Sequence, residues 1–316
     1  MGASLGISVR KADIRKIAKV LAEVGAKARV EVRVCLVGDG AAVTKLATAL
    51  SVEAADITEG VSASLDVLTP GDFSRQSDLR HRWGAVVLVT DADPGLDGLG
   101  VVAASARAAG VAVFAVVPTG GARVPPSWLT TAGFAAKDVV TEDFADETRG
   151  QATAERLAAV CGDTALSLAR RLPTVRRAVV RRLIAHTARQ NCVVGAVVFI
   201  PGADMPVMTL NQVRMVLKMA AAYGQDIGVE RAGEILSVLT AGLGLRTLAR
   251  EALDFVPVAG WALKGAVGYS GTLAIGTAAQ AYFEAGAPLM PTKAKRITER
   301  LDRLTHGFLA RGLASG

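Results

Sequence analysis

The stretch VEVRVCLVGDGAAVTKLATAL (30–50) decides the fold. Its first part, 30–38, alternates and then turns wholly apolar, which predicts a strand buried on both faces at its end. Residues 41–50 then switch to helical spacing. The same alternation of types continues outward. VSASLDVL (61–68), GAVVLVTD (84–91), VAVFAVVPTG (111–120) and DVV (138–140) read as strands, and 97–109 as a helix. Apolar strands separated by helices predict an α/β domain over 29–145, with a parallel sheet covered on both faces. Ligands of such sheets bind at the carboxyl ends of the strands.

Three segments fall at those ends. GDGAAVTK (38–45) follows the first strand. A phosphate loop needs G-x-x-x-x-G-K-[ST], whose backbone N–H groups, Lys and hydroxyl hold phosphate and magnesium. Gly38 fits, but Val43 stands at the second Gly, Thr44 at the Lys and Lys45 at the hydroxyl. As G-x-G-x-x-G, Gly38 and Gly40 fit and Val43 again does not. DADPGLDG (91–98) offers Asp91 or Asp93 for a metal, and is equally ordinary turn chemistry. PTGG (118–121) lacks the Lys and Asp of a guanine-reading loop. Gly38, Gly40, Lys45 and Asp91 are the cofactor-binding candidates if any nucleotide binds. The element order over 29–142 resembles a small Ras- or Era-like GTPase domain with all three loops degenerate. That resemblance implies a P-loop-like pseudo-GTPase without catalytic residues or a required cofactor.

Composition separates the two halves. Residues 1–150 carry 16 Lys/Arg and 18 Asp/Glu, and 151–316 carry 20 and 11, so the net charge of +7 belongs to the second half. Three cysteines and three histidines, far apart, exclude a disulfide framework and a metal site. Arg outnumbers Lys 26 to 10 amid abundant Ala and Gly, a composition of GC-rich bacterial genomes. The start, MGASLGISVRKADIRK, has no apolar core of a signal peptide. Residues 7–27 read as a basic amphipathic helix, either packed by one face or lying on a membrane.

From 146 the strand pattern stops, and an all-α domain is expected over 146–290, followed by an amphipathic helix at 291–316. No Asp or Glu occurs between Asp163 and Asp204. On a helix from Pro173, Val175, Val179, Val180, Leu183 and Ile184 share one side, and Arg177, Arg181, Arg182 and Arg189 the other. Such a face suits anionic lipid, nucleic acid phosphate or an acidic protein surface. The absence of interleaved aromatics disfavours nucleic acid. CVVGAVVFI (192–200) is too short to span a bilayer, and Pro201-Gly202 breaks it. A helix to Tyr223 is expected next, with Thr209 and Gln212 as a capping box and Gly224 as its stop. Asp204, alone in apolar surroundings, reads as a helix cap or ion-pair partner, with a functional carboxylate as the alternative, and 230–254 as two short helices. The 19 residues 265–283 carry no charge; Gly265, Gly268 and Gly271 fall at spacing 3, and Gly268, Thr272 and Gly276 at spacing 4, small-residue stripes for close packing in water or lipid.

The ordered set PTVRRAVVRRLIAHTARQN, IPGADMPVMTLNQVRMVLKMAAAYG and GLGLRTLAREALDFVPVAGWALKGAVGYSGTLAIGTAAQAYF resembles the bacterial GTPase-associated domain of unknown function typified by YcjF-like inner-membrane proteins, over 165–286. The resemblance implies membrane association and GTPase-type partner proteins, and no catalytic residue. The expected function is thus a non-catalytic protein at the cytoplasmic face of the inner membrane, peripheral or inserted as a hairpin; homo-oligomers stay open. Arg176, Arg177, Arg181, Arg182 and Arg189, with Trp261 and Lys264, are the lipid-facing candidates. A nucleotide-binding switch and a soluble scaffold or nucleic-acid-binding protein are the alternatives.

Overall fold

A computed structural model describes residues 11–38, 40–51, 64–90, 98–119, 129, 133–144, 150–197, 205–225 and 260–286. The elements are α1 (Lys11–Arg29), β1 (Val34–Val37), α2 (Ala41–Ser51), β2 (Leu65–Leu68), α3 (Pro70–Ser74), α4 (Leu79–Arg82), β3 (Ala85–Val89), α5 (Gly98–Ala108), β4 (Ala112–Pro118), β5 (Val139–Glu142), α6 (Gln151–Val160), α7 (Ala165–Arg171), α8 (Pro173–Val197), α9 (Met205–Ala222) and α10 (Gly260–Glu284). Two compact units emerge, Lys27–Arg182 and Met1–Ala26 with Leu183–Gly316.

The first unit holds a five-stranded, wholly parallel sheet in the order β2-β1-β3-β4-β5. Every residue of β1 and β3 is buried, as the unbroken apolar runs require. On one face Cys35, Val37, Val86 and Leu88 pack with Phe73, Trp83, Leu99 and Val102. Phe73 and Trp83 stack at 5.3 Å, and the Trp83 indole N–H donates to Asp66 Oδ2 at 2.6 Å. Arg33 completes this anchor by pairing with the other oxygen of Asp66. α3 is the short helix that the spacing of apolar residues does not reveal. Its signal is local: Pro70 is the first residue, and Thr69 Oγ1 accepts from the Asp72 N–H at 3.1 Å.

The unit extends beyond 145, where the strand pattern stops. Glu142, at the end of β5, is buried and accepts from Gly150 N–H at 2.9 Å, Thr153 N–H at 2.8 Å and Thr153 Oγ1 at 2.7 Å. One strand-end carboxylate thus satisfies the free donors at the start of α6. Arg156 of α6 pairs with Asp138 at 2.8 Å, and Lys27 with Asp163 at 2.7 Å. Arg171 reaches Glu31 at 3.1 Å, and Thr174 Oγ1 donates to Ala49 O at 3.0 Å. Between α6 and α7 the helical path is interrupted at Gly162–Thr164, where Gly162 has φ 54°. Leu172, ahead of Pro173, is extended and ends α7.

The second unit contains the rest of α8, with α9 and α10. α8 runs on to Val197, so the first residues of the CVVGAVVFI run extend it. α9 already starts at Met205, which corrects the expected capping box: Thr209 lies inside the helix and Gln212 is buried. Gly224, at φ 71°, ends the helix as expected. Residues 265, 268, 272, 276, 279 and 283 form the buried seam of α10. A Cβ on Gly268 would lie 2.6 Å from Asn191 O, one on Gly276 2.7 Å from Ile184, and one on Gly195 2.7 Å from Lys264 O. The small-residue stripe therefore seats α8 against α10. In α1, Val20 and Val24 are buried, and Glu23 pairs with Arg214 of α9 at 3.6 Å. Asp204, the pair of helices expected within 230–254 and the tail at 291–316 lie outside the described residues.

Candidate functional site

In the order 2-1-3-4-5, the chain reverses its winding direction between β1 and β3, and sheets of this kind bind ligands at the carboxyl ends of such a pair. Gly38 leaves β1 there, its N–H donating to Leu68 O at 3.2 Å. A Cβ on it would lie 2.3 Å from the Val89 carbonyl oxygen. The approach of β3 thus already demands glycine at 38. Gly40 takes φ 84°, and helix α2 begins at Ala41. Only three residues separate strand from helix, and positions 41–45 of the candidate loop are helical. Val43 is buried in the core, while Thr44 and Lys45 are exposed on α2. Thr90, after β3, is fully buried and its N–H donates to Val116 O at 3.2 Å. Asp91 and Asp93 lie outside the described residues. Among the described residues no group of three or more His, Cys, Asp or Glu is placed to hold a metal ion.

Burial raises the Cys35 thiol to about 12, with Asp66 adding to the effect, and raises Cys161 likewise to about 12. Both stay protonated near neutral pH, so neither has the thiolate character of a nucleophile.

Several arginines of α8 have partners close by. Arg176 donates from Nε to Ala169 O at 2.8 Å and from Nη2 to Arg170 O at 2.9 Å, closing the carboxyl end of α7. Arg181 pairs with Glu155 at 3.1 Å. These two side chains therefore have partners within the sheet unit. Arg177, Arg182 and Arg189 are exposed, as is His186. Lys264 is half-buried near the start of α10, and the Trp261 side chain lies outside the described residues. On the apolar side, Val175, Val179, Val180 and Ile184 are buried and Leu183 is half-buried.

Sequence inspection missed a polar knot among α8, α9 and α10. Asn191 donates to Thr272 Oγ1 at 2.9 Å and to Met208 O at 3.3 Å, and accepts from Asn211 at 2.9 Å. Gln212 donates to the same Thr272 oxygen at 3.0 Å, and the Thr272 hydroxyl in turn donates to Gly268 O at 2.7 Å. Asn191, Gln212 and Thr272 are all essentially inaccessible to water. A buried network of this kind fixes the register of three helices.

Residues 161–308 match the family model described as Domain of unknown function, DUF697. The match agrees with the GTPase-associated domain of unknown function expected over 165–286, and it starts within the sheet unit, at the carboxyl cap of α6. Among solved structures, a Salmonella typhimurium LT2 chain described as a phosphosugar isomerase aligns at 15% identity and a TM-score of 0.28. The alignment covers 61% of the present chain and spans 56% of that structure's length. No curated protein matches. Among the described residues no helix is long and apolar enough to cross a membrane.

Proposed function

We propose that this chain is a non-catalytic, peripheral membrane protein. Its parallel-sheet unit serves as a pseudo-GTPase interaction module toward GTPase-type partners, and its helical unit docks on the anionic inner leaflet. The carrying observation is the cationic face of α8. Arg182, where the sheet unit ends, and Arg189, in the helical unit, are both exposed on α8, which contains no carboxylate. Such a surface attracts acidic lipid by about 1 kcal/mol per basic residue near the headgroups.

The test is co-sedimentation with phosphatidylglycerol vesicles against phosphatidylcholine vesicles. Binding is expected to the first at low salt, with release as salt rises. Arg182→Gln with Arg189→Gln is expected to weaken binding by about 2 kcal/mol, roughly thirtyfold. Recovery of the wild-type chain in the supernatant with both lipids would sink the proposal. Retention on nucleic acid alone would point to the scaffold reading.

The pseudo-GTPase reading is supported by Val43 in the core and by the three-residue connection between β1 and α2. GTP or ATP with magnesium is therefore expected to leave the Tm unchanged. A real site at a hundredfold its Kd would stabilise the native state by about 2.7 kcal/mol. A rise of several degrees would favour the nucleotide switch instead.

A further inference from the structure

The helical unit has two unlike ends. α8 runs antiparallel to α10, since Ile184 meets Gly276, Asn191 meets Gly268 and Gly195 meets Lys264. α9 runs parallel to α10, with Gln212 beside Thr272, and Tyr223 beside Phe283 and Glu284. The carboxyl end of α8 therefore meets the amino ends of α9 and α10. The opposite end is closed by the stacked pair Tyr223 and Phe283 and by the Tyr223 hydroxyl on Glu284 at 3.2 Å.

The near end is apolar on its outside. Val193 is 61% exposed, Val197 63%, Val207 46% and Tyr269 37%. These are the large apolar side chains exposed in this unit among the described residues. All four lie within about two helical turns of the point where Asn191, Met208 and Gly268 meet. Exposed Arg189 sits one turn before Val193, and Lys264 stands beside Gly195, so two cations border the apolar end. No acidic residue occurs in α8 or α9, and the acidic residue of α10 is Glu284, at the far end.

We infer that this end of the helical unit is the element that enters the lipid surface. Val193 and Val197 go into the acyl boundary, Tyr269 lies at headgroup level, and Arg189 and Lys264 contact the phosphates. The inference rests on the membrane reading above and adds which residues enter and in what orientation. A second copy of the chain fits this surface less well, because a two-fold contact would press the same cations together, and among the described residues of this end no carboxylate offsets them. Anionic lipid complements both the apolar centre and the cationic border.

Val197→Trp in the full chain reports the depth. With phosphatidylglycerol vesicles whose acyl chains are brominated, this variant is expected to lose more fluorescence than the wild-type chain does. Val193→Ser with Val197→Ser is expected to weaken vesicle binding about tenfold, since these side chains lose most of their transfer from water. Sedimentation of the wild type without added quenching in V197W overturns this inference and leaves peripheral binding by α8 standing. Failure of the wild type to sediment overturns both. A change from dimer to monomer in V193S/V197S without vesicles assigns the surface to self-association and overturns the lipid assignment.

Discussion

Gly268→Leu is expected to unfold the packing of the helical unit. The first atom of any side chain at 268 would fall 2.6 Å from the Asn191 carbonyl oxygen, which belongs to the backbone of α8. Met208 Cε, at 2.5 Å, can swing aside, but the α8 backbone can only move as a whole. Moving it separates Asn191 from Thr272 and so opens the polar knot. Overpacking of this kind costs about 3 kcal/mol, and each buried polar group left unpaired adds about 1–3 kcal/mol. Near-ultraviolet circular dichroism and denaturant unfolding of the full chain read the effect. Ala274→Leu, on the exposed side of the same helix, is the control and is expected to change stability by less than about 0.5 kcal/mol. If G268L matched that control, the close approach of α8 and α10 would be refuted.

The second large effect belongs to the sheet unit. Glu142→Ala removes the acceptor of two backbone N–H groups and one hydroxyl at the start of α6. Losing an ordinary helix cap costs about 1 kcal/mol, and stranding buried donors raises the loss to about 2–4 kcal/mol. Glu142→Gln retains one acceptor oxygen and is expected to lose less. Hydrogen exchange at the amides of α6 is the direct readout, with exchange faster in E142A than in E142Q, and faster in E142Q than in wild type. Unchanged exchange in E142A would show that α6 does not depend on this carboxylate.

The strands were the most legible part of the molecule, because a strand buried on both faces has no polar positions to obscure it. VCLV and AVVLV are unbroken apolar runs and fall where expected, at 34–37 and 85–89. Helix edges were less legible where burial overrides local chemistry. Thr209 and Gln212 have capping-box spacing, yet Gln212 faces Thr272 inside the bundle, a partner 60 residues away that spacing cannot reveal. Gly38 shows the reverse case. A glycine after the first strand reads as a phosphate-loop position, and its reason in three dimensions is the Val89 carbonyl oxygen. The lipid-facing candidates split for a similar reason. Arg176 and Arg181 share the helix with Arg182 and Arg189, but Ala169 O, Arg170 O and Glu155 lie within their reach. A helical wheel counts charges without knowing which of them have neighbours.

The Glu142 cap also dictates how the gene should be cut. A recombinant fragment stopping where the strands run out, near residue 145, would keep this carboxylate and delete the donors that answer it. It would strip Asp138 of Arg156, Lys27 of Asp163 and Ala49 of the Thr174 hydroxyl as well. A boundary placed after Arg182 retains every one of those contacts, and is where a soluble amino-terminal piece should be sought.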